Sequence, residues 1–366
     1  MIFENKDRSY LGYQDYFESD FEFYDRTSNP EFSIVRQMIN NWAQSYPEKD
    51  LISIRQRIKN EFSAVFYELI IYTIFKKLGF SLEPHPNLND TDTKPDFFAT
   101  KNDFELFIEA KITSEYKKSN QIETSIYQSL TKIRNSGFML LIESLELKNG
   151  KQPPLKKIRQ TIEKELNKLD PDGLGSDLDK YPKLKYSDQS IEIEIIPCPK
   201  KPDYRKSNEF VSIESYPIQT RWGGSTSTFK RAIFKKSGKY KDLGKPLIIA
   251  LNFISPWGMY ENEIIDALFG SFKTTFNFRN NEAYHFRLKD AVFNGPNGPQ
   301  CTRISGVIIT SVNPFNLHNT NILLYHNPYA KYPIKLDSLL IPQKFVAENG
   351  ILTFNDGLSI DEILKK

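Results

Sequence analysis

The stretch KPDFFATKNDFELFIEAK, residues 94–111, decides how the rest of the chain is read. It holds two short apolar runs separated by the turn residues Lys101, Asn102 and Asp103. Strand side chains alternate faces with a period of two. In FELFIEAK this puts Phe104, Leu106, Ile108 and Ala110 on one face, and Glu105, Phe107, Glu109 and Lys111 on the other. Glu109 and Lys111 therefore project to the same side at the end of one run, while Asp96 opens the other. An exposed ion pair, worth little, and a plain strand-start aspartate are the bland alternatives, so the surroundings decide.

Upstream lies NEFSAVFYELIIYTIFKKLGF, residues 60–80, apolar nearly all round and closed by Lys76, Lys77 and Gly79. A helix apolar on every side is a buried one, and basic residues followed by Gly mark its end. Glu68 stands within it. An unpaired buried carboxylate costs several kcal/mol, so Glu68 needs a cation, a hydrogen-bond partner or a raised pKa. From Phe80 the period changes to that of short strands over 80–85, 95–100 and 104–111. A helix over 119–137 and a strand over 138–147 follow, which makes the order α-β-β-β-α-β.

Further out, residues 1–25 carry seven acids against Lys6 and Arg8, with aromatics interleaved. A segment of this kind either covers a basic groove, holds a partner, or packs at an edge. Residues 31–43 have helical spacing, with Phe32, Val35, Ile39 and Trp42. The second half reads as more α/β: a helix from Pro153, a polar linker over 170–188, strands over 191–199 and 209–218, a helix over 228–239, a strand over 245–254, a helix over 261–269, and strands over 304–310 and 321–327. Lys-Pro-Asp recurs at 201–203, which raises the alternative of a degenerate second copy. The expected division is 1–58 as an N-terminal extension and helix, 59–148 as a core, and 149–366 as a C-terminal α/β region for substrate or partner recognition.

The whole chain, 366 residues with 49 Lys+Arg against 46 Asp+Glu, is nearly neutral, so overall charge does not announce a nucleic-acid binder. Aromatics at 13% supply ample core. Two cysteines, Cys198 and Cys301, make neither a disulfide framework nor a thiolate metal site. The N-terminal stretch lacks the layout of a signal peptide, and no run approaches the ~18 apolar residues of a membrane span. The expectation is a cytoplasmic protein with no membrane contact.

Three carboxylates and one ammonium converging at a sheet edge suit divalent-metal chemistry on phosphodiesters. Mg²⁺ takes hard oxygen ligands and usually only one or two protein carboxylates, and a nearby Lys can orient water or offset phosphorane charge. Pro95-Asp96, twelve residues, then Glu109-Ala110-Lys111 resembles the PD-(D/E)xK motif of the restriction-endonuclease-like phosphodiesterases. The resemblance covers roughly 59–148 and implies a mixed-sheet α-β-β-β-α-β core. It implies Asp96 and Glu109 as metal ligands, the Ala110 carbonyl as a third, Lys111 as catalytic, and Glu68 as support for the metal or its waters. It further implies Mg²⁺ or Mn²⁺, a DNA substrate with RNA as the alternative, and a homodimer or partner protein in a prokaryotic restriction or anti-phage system. A silent nucleic-acid-binding or scaffold subunit of the same fold is the rival. The helix after Lys111 lacks the Gln-x-x-x-Tyr signature of the recombination-exonuclease branch.

Phosphate-backbone contacts are expected from Lys117, Lys118, Lys132 and Arg134 beside the motif, and from Lys230, Arg231, Lys235 and Lys236 in a basic run over 230–245, with a solvated face as the alternative reading. RWGGSTST, 221–228, lacks the Gly-Lys-Ser/Thr of a phosphate loop. His326 is a second acid/base candidate, or a turn residue before Asn327-Pro328.

Overall fold

The structure, a computed structural model, describes residues 1–12, 14, 18–88, 93–114, 121–149, 151–175, 177–205, 210–215, 224–254, 259–277, 282–347 and 351–366. The chain opens with α1 (Asp20–Arg26), α2 (Pro30–Gln44), α3 (Glu48–Arg57) and α4 (Phe62–Lys77), then β1 (Ser81–Pro84), β2 (Phe97–Lys101) and β3 (Phe104–Ser114). Next come α5 (Gln121–Leu130), β4 (Phe138–Leu147), α6 (Leu155–Leu166), β5 (Leu184–Ser187), β6 (Ile191–Pro199) and β7 (Ser212–Ser215). After these are α7 (Gly224–Ser237), β8 (Leu247–Ile254), α8 (Glu261–Phe269), the hairpin β9 (Phe272–Asn277) and β10 (Glu282–Arg287), and the two-residue β11 (Asn294–Gly295) and β12 (Gly298–Pro299). The chain ends with β13 (Gly306–Thr310), β14 (Leu323–His326), β15 (Gln343–Val346), β16 (Leu352–Asn355) and α9 (Ile360–Lys365).

Two compact units result: Met1–Gln14, Glu18–Tyr116 and Gly223–Lys366 form one, and Asp15–Phe17 with Lys117–Trp222 form the other. The expected boundaries after 58 and 148 are not where they divide. In the larger unit the sheet order is β1-β2-β3-β8-β13-β14-β15-β16. β1, β2 and β3 pair antiparallel, while β3, β8 and β13 run parallel. The strand beside β3 is thus β8, not β4, which belongs to the smaller unit's sheet, β5-β6-β4-β7. LIIALNFI can fill a central position because it is apolar on both faces. Ile248 and Ala250 face the cluster that contains α4, and Ile249 and Leu251 face the one that contains α7 and α8. The result is mixed α/β, with a large mixed sheet covered on both faces.

Helix α4 is buried from Phe62 to Phe75 apart from Ser63 and Ala64, as its all-round apolar sequence requires. The alternation read in β3 holds: Leu106 and Ile108 join the α4 side, whereas Phe107 packs with Tyr240. The N-terminal segment is no extension. Ile2, Phe3, Phe23 and Tyr24 are buried in the same cluster as α4, and its charges pair locally, Asp25 with Lys6 and Arg8, and Glu18 with Arg26. In the smaller unit, Ile126 and Leu130 of α5 and Ile158 and Ile162 of α6 cover Leu140 of β4 and Ile193 of β6. The second Lys-Pro-Asp does not repeat the first. Pro202–Tyr204 is a 3-10 turn, not the approach to a strand.

Gly270 ends α8 with φ +106° and ψ 145°, backbone that side-chain-bearing residues rarely adopt, and a Cβ there would run into the Leu288 carbonyl. Gly270→Ala should lower the unfolding free energy by at least ~1–3 kcal/mol, read as a shift in urea midpoint at unchanged slope.

Candidate active site

Within the larger unit, β2 stops pairing at Phe97↔Ile108, while β3 runs on beside β8 through Glu109↔Ile249 and Lys111↔Leu251. Past the end of β2, one side of β3 is left without a strand neighbour. Asp96 occupies that gap: its Oδ2 accepts the Ala110 N–H at 2.7 Å. Because the N–H and C=O of a strand residue serve the same neighbour, the Ala110 carbonyl also faces this open side. The cleft here, about 210 Å³, is lined by Glu68, Asp96, Ala110, Lys111, Arg57 and Lys236, among others. Asp96, Ala110, Lys111 and Glu68, all expected at one site, are therefore brought together.

Glu109 lies at 0% exposure. One carboxylate oxygen, Oε1, accepts from Lys236 and, at 3.2 Å, from Lys239; the other, Oε2, accepts from the Tyr240 hydroxyl. Lys236 belongs to α7 and the other two follow it closely, so the helix end wraps the carboxylate. Burial, reinforced by Glu109, pushes the Tyr240 phenol well above its usual range and keeps it a donor. Lys236 was expected on a phosphate; here it binds Glu109 and still lines the cleft. Tyr240 was missed as a site residue, and Lys239 was read only as part of the basic run over 230–245; both stand just past the end of α7, three and four residues after Lys236.

Asp96 sits well above the usual carboxylate range because it is buried and because Glu109 and Glu68 repel its charge; the Ala110 N–H and Lys236 oppose the shift. Lys111 is half-buried, and burial lowers its pKa, with Lys236 and Lys235 adding to the effect against Glu109 and Asp96. Among the described residues it makes no hydrogen bond or ion pair. Its ammonium is free to act on a ligand.

Glu68 has the cation and the hydrogen-bond partner that its burial demands. It is buried but not unpaired: Oε1 accepts from the Tyr46 hydroxyl at 3.0 Å, and Oε2 accepts from Arg57 Nη2 at 2.8 Å. His85 Nε2 stands 3.6 Å away. With both oxygens engaged, Glu68 acts on the site through its charge on Asp96 rather than as a ready ligand. The oxygens placed to meet a hard cation at the cleft are those of Asp96 and the Ala110 carbonyl; Glu109, buried with both oxygens engaged, would have to give up Lys236 to join them. Among the described residues there is no group of three or more His, Cys, Asp or Glu placed to hold a metal. Mg²⁺ does not require one, since one or two protein carboxylates are its usual share.

The remaining expected residues lie elsewhere. Lys132 and Arg134 are exposed residues of the smaller unit, and Arg134 rests over the Phe210 ring. Lys117 and Lys118 lie outside the described residues, as do 221–223. On α7, Arg231 and Lys235 are exposed, while Lys230 donates to the Asp290 carbonyl at 2.6 Å. His326 is buried against Gln343, burial lowers its pKa, and it does not line the cleft. Asn327 Oδ1 caps the turn at Tyr329.

Compared with protein-family models, with curated proteins and with solved structures, the chain matches none. No helix among the described residues is long and apolar enough to cross a membrane.

A carboxylate with a raised folded-state pKa binds its proton more tightly folded than unfolded. Its stabilising contribution is complete below the ordinary value of 3.8 and is lost as pH rises toward the neutral range. Metal-free protein should therefore lose part of its stability over that window, and Asp96→Asn should flatten the slope when urea unfolding is followed across it. Glu68→Gln removes one of the two repelling charges, so the Asp96 carboxyl should titrate lower than in the wild type in a carbon-detected NMR titration; an unmoved Asp96 would show that Glu68 is not felt there.

Proposed function

We infer that the protein is a metal-dependent nuclease hydrolysing DNA phosphodiester bonds, of the restriction-endonuclease-like kind, acting in a prokaryotic restriction or anti-phage system in the cytoplasm. The observation that carries the reading is that Asp96, Ala110 and Lys111, the last without a hydrogen bond or ion pair among the described residues, line one cleft at the edge of β2 beside β3, with the buried Glu109 near enough for its charge to act on Asp96. The topology supports it in a form different from the one expected. α4, β1, β2 and β3 are followed by α7 and a β8 that runs parallel to β3, an α-β-β-β-α-β order with residues 117–222 inserted in the sequence before its second helix.

In this reading Asp96, Glu109 and the Ala110 carbonyl hold Mg²⁺, or Mn²⁺ in its place. The bound cation supplies Lewis acidity toward a phosphoryl oxygen and acidifies water. Lys111, its pKa lowered, orients the attacking water and offsets charge on the phosphorane. Lys236, which holds Glu109, would be available to a phosphate oxygen if a cation occupied that carboxylate. Arg57 and Tyr46 fix Glu68, which keeps the field at Asp96 negative. The exposed Arg231 and Lys235 on α7 contribute sequence-independent backbone contacts.

One observation favours the rival, a silent nucleic-acid-binding or scaffold subunit: both Glu109 oxygens already have cationic or phenolic partners. The deciding experiment is cleavage of plasmid, linear and single-stranded DNA and of RNA, in Mg²⁺, Mn²⁺ or EDTA. Asp96→Ala, Glu109→Ala and Lys111→Ala should each reduce cleavage by ~100-fold or more. Calorimetry should show weakened Mg²⁺ binding for the first two and not for Lys111→Ala, whose stability should change by no more than ~1 kcal/mol. Wild-type rates in Lys111→Ala or Asp96→Ala would remove the assignment.

A further inference from the structure

A second cleft of about 310 Å³ opens in the larger unit beside the first. Ile112, the residue after Lys111, lines both. Helix α4 serves both as well, with Ser63 and Phe66 on the second cleft and Ala64, Tyr67 and Glu68 on the first. The second cleft lies at the carboxyl ends of the parallel strands β3, β8 and β13, marked by Ile112, Ile254 and Val312, where open α/β sheets bind ligands.

The two clefts differ in chemistry. Aromatic rings dominate the second: Tyr24, Phe32, Phe62, Phe66 and Phe315. Phe315 is 51% exposed although its ring meets Phe32 edge-on at 5.1 Å between centroids, so one face of a built aromatic cluster is left open. Among the described residues no Lys or Arg lines this cleft, and the exposed carboxylate of Asp20 does, which disfavours an anion. Asn313, also on the lining, spends its carbonyl oxygen on the Phe315 N–H at 2.8 Å, while its amide N–H groups donate to nothing among the described residues. A neutral, flat, aromatic ligand with hydrogen-bonding edges matches this set. The adjoining cleft presents Lys111, which has no partner among the described residues and can meet a phosphate, beside Lys236 and Arg57, which are paired with Glu109 and Glu68.

We propose that the aromatic cleft receives one unpaired nucleobase of the strand whose phosphate lies at Asp96, Glu109 and Lys111, so that the substrate is single-stranded nucleic acid or a duplex with an extruded base. A fully paired duplex keeps its bases stacked and cannot fill the cleft without the cost of extrusion. This deepens the nuclease reading and rests on it for the position of the phosphate, but it is testable without cleavage.

The test is fluorescence anisotropy in EDTA with three labelled probes: oligodeoxythymidylate, a blunt paired duplex, and the same duplex with one bulged adenine. The proteins are the wild type, Phe315→Ala and Phe315→Tyr. Bases stack on exposed aromatic side chains whatever their sequence. Phe315→Ala should therefore bind the single strand and the bulged duplex ~10-fold or more weaker, with the paired duplex unchanged and Phe315→Tyr restoring both. Equal affinity of Phe315→Ala and wild type for all three probes would overturn the proposal, and so would an equal loss on all three. If the Phe315-dependent preference is present but the wild type cuts none of the probes in Mg²⁺ or Mn²⁺, the base site stands and the nuclease reading falls.

Discussion

A carboxylate sealed inside the protein organises the larger unit. Glu109 sits in the middle of a strand flanked on one side by β8, at zero exposure, where an uncompensated charge would cost several kcal/mol. Its compensation comes from Lys236, Lys239 and Tyr240, up to 131 residues later in the chain. α7 must therefore return to one particular place over β3. That demand sets the helix that covers the sheet's second face, and it brings Lys236 to the cleft where Asp96 and Lys111 wait. Removing one partner of such a set leaves the others charged and dry, so the cluster holds as a unit.

Much of this was legible in the sequence, because the signals were local. The two-residue period of FELFIEAK assigns Glu109 and Lys111 to one face, and they do share it. The all-round apolar helix predicts the burial of α4, and Pro95-Asp96 marks the start of β2. Partnership over distance was not legible. FMLLIESLEL and LIIALNFI are both apolar strands, and nothing in their periods says which lies beside β3. Sequence proximity favours the first, and the second lies there. Burial said that Glu68 needs a partner but not which one, because Arg57 lies eleven residues earlier, outside any helical spacing that would link them. The Lys236–Lys239–Tyr240 cluster looked like a solvated basic face because its one buried acid is remote in sequence.

The electrostatic pattern of the cleft follows from these partners. Glu68, Asp96, Arg57, Lys111 and Lys236 line the cleft with Glu109 buried behind it, yet they are not interchangeable. Glu68 and Glu109 are held by dedicated donors, whereas Asp96 has only a backbone N–H, and Lys111 has no partner among the described residues. The carboxyl driven above its usual pKa and the ammonium driven below it are the two groups with spare capacity, and such opposed displacements are where acid–base work concentrates.

The insertion of 117–222 between β3 and α7 has a consequence for biosynthesis. Chains emerge N-terminus first, and domains fold as units when complete. β3 is made long before β8, so the smaller unit is finished while β3 still lacks its parallel neighbour and Glu109 lacks its partners. Closing so long a loop adds only a logarithmic entropy cost, but pairing over such sequence separation is slow. The nascent chain thus keeps Glu109 apart from Lys236, Lys239 and Tyr240 until α7 and the residues after it have been translated, and a ribosome-bound fragment ending before residue 224 leaves that carboxylate without its partners.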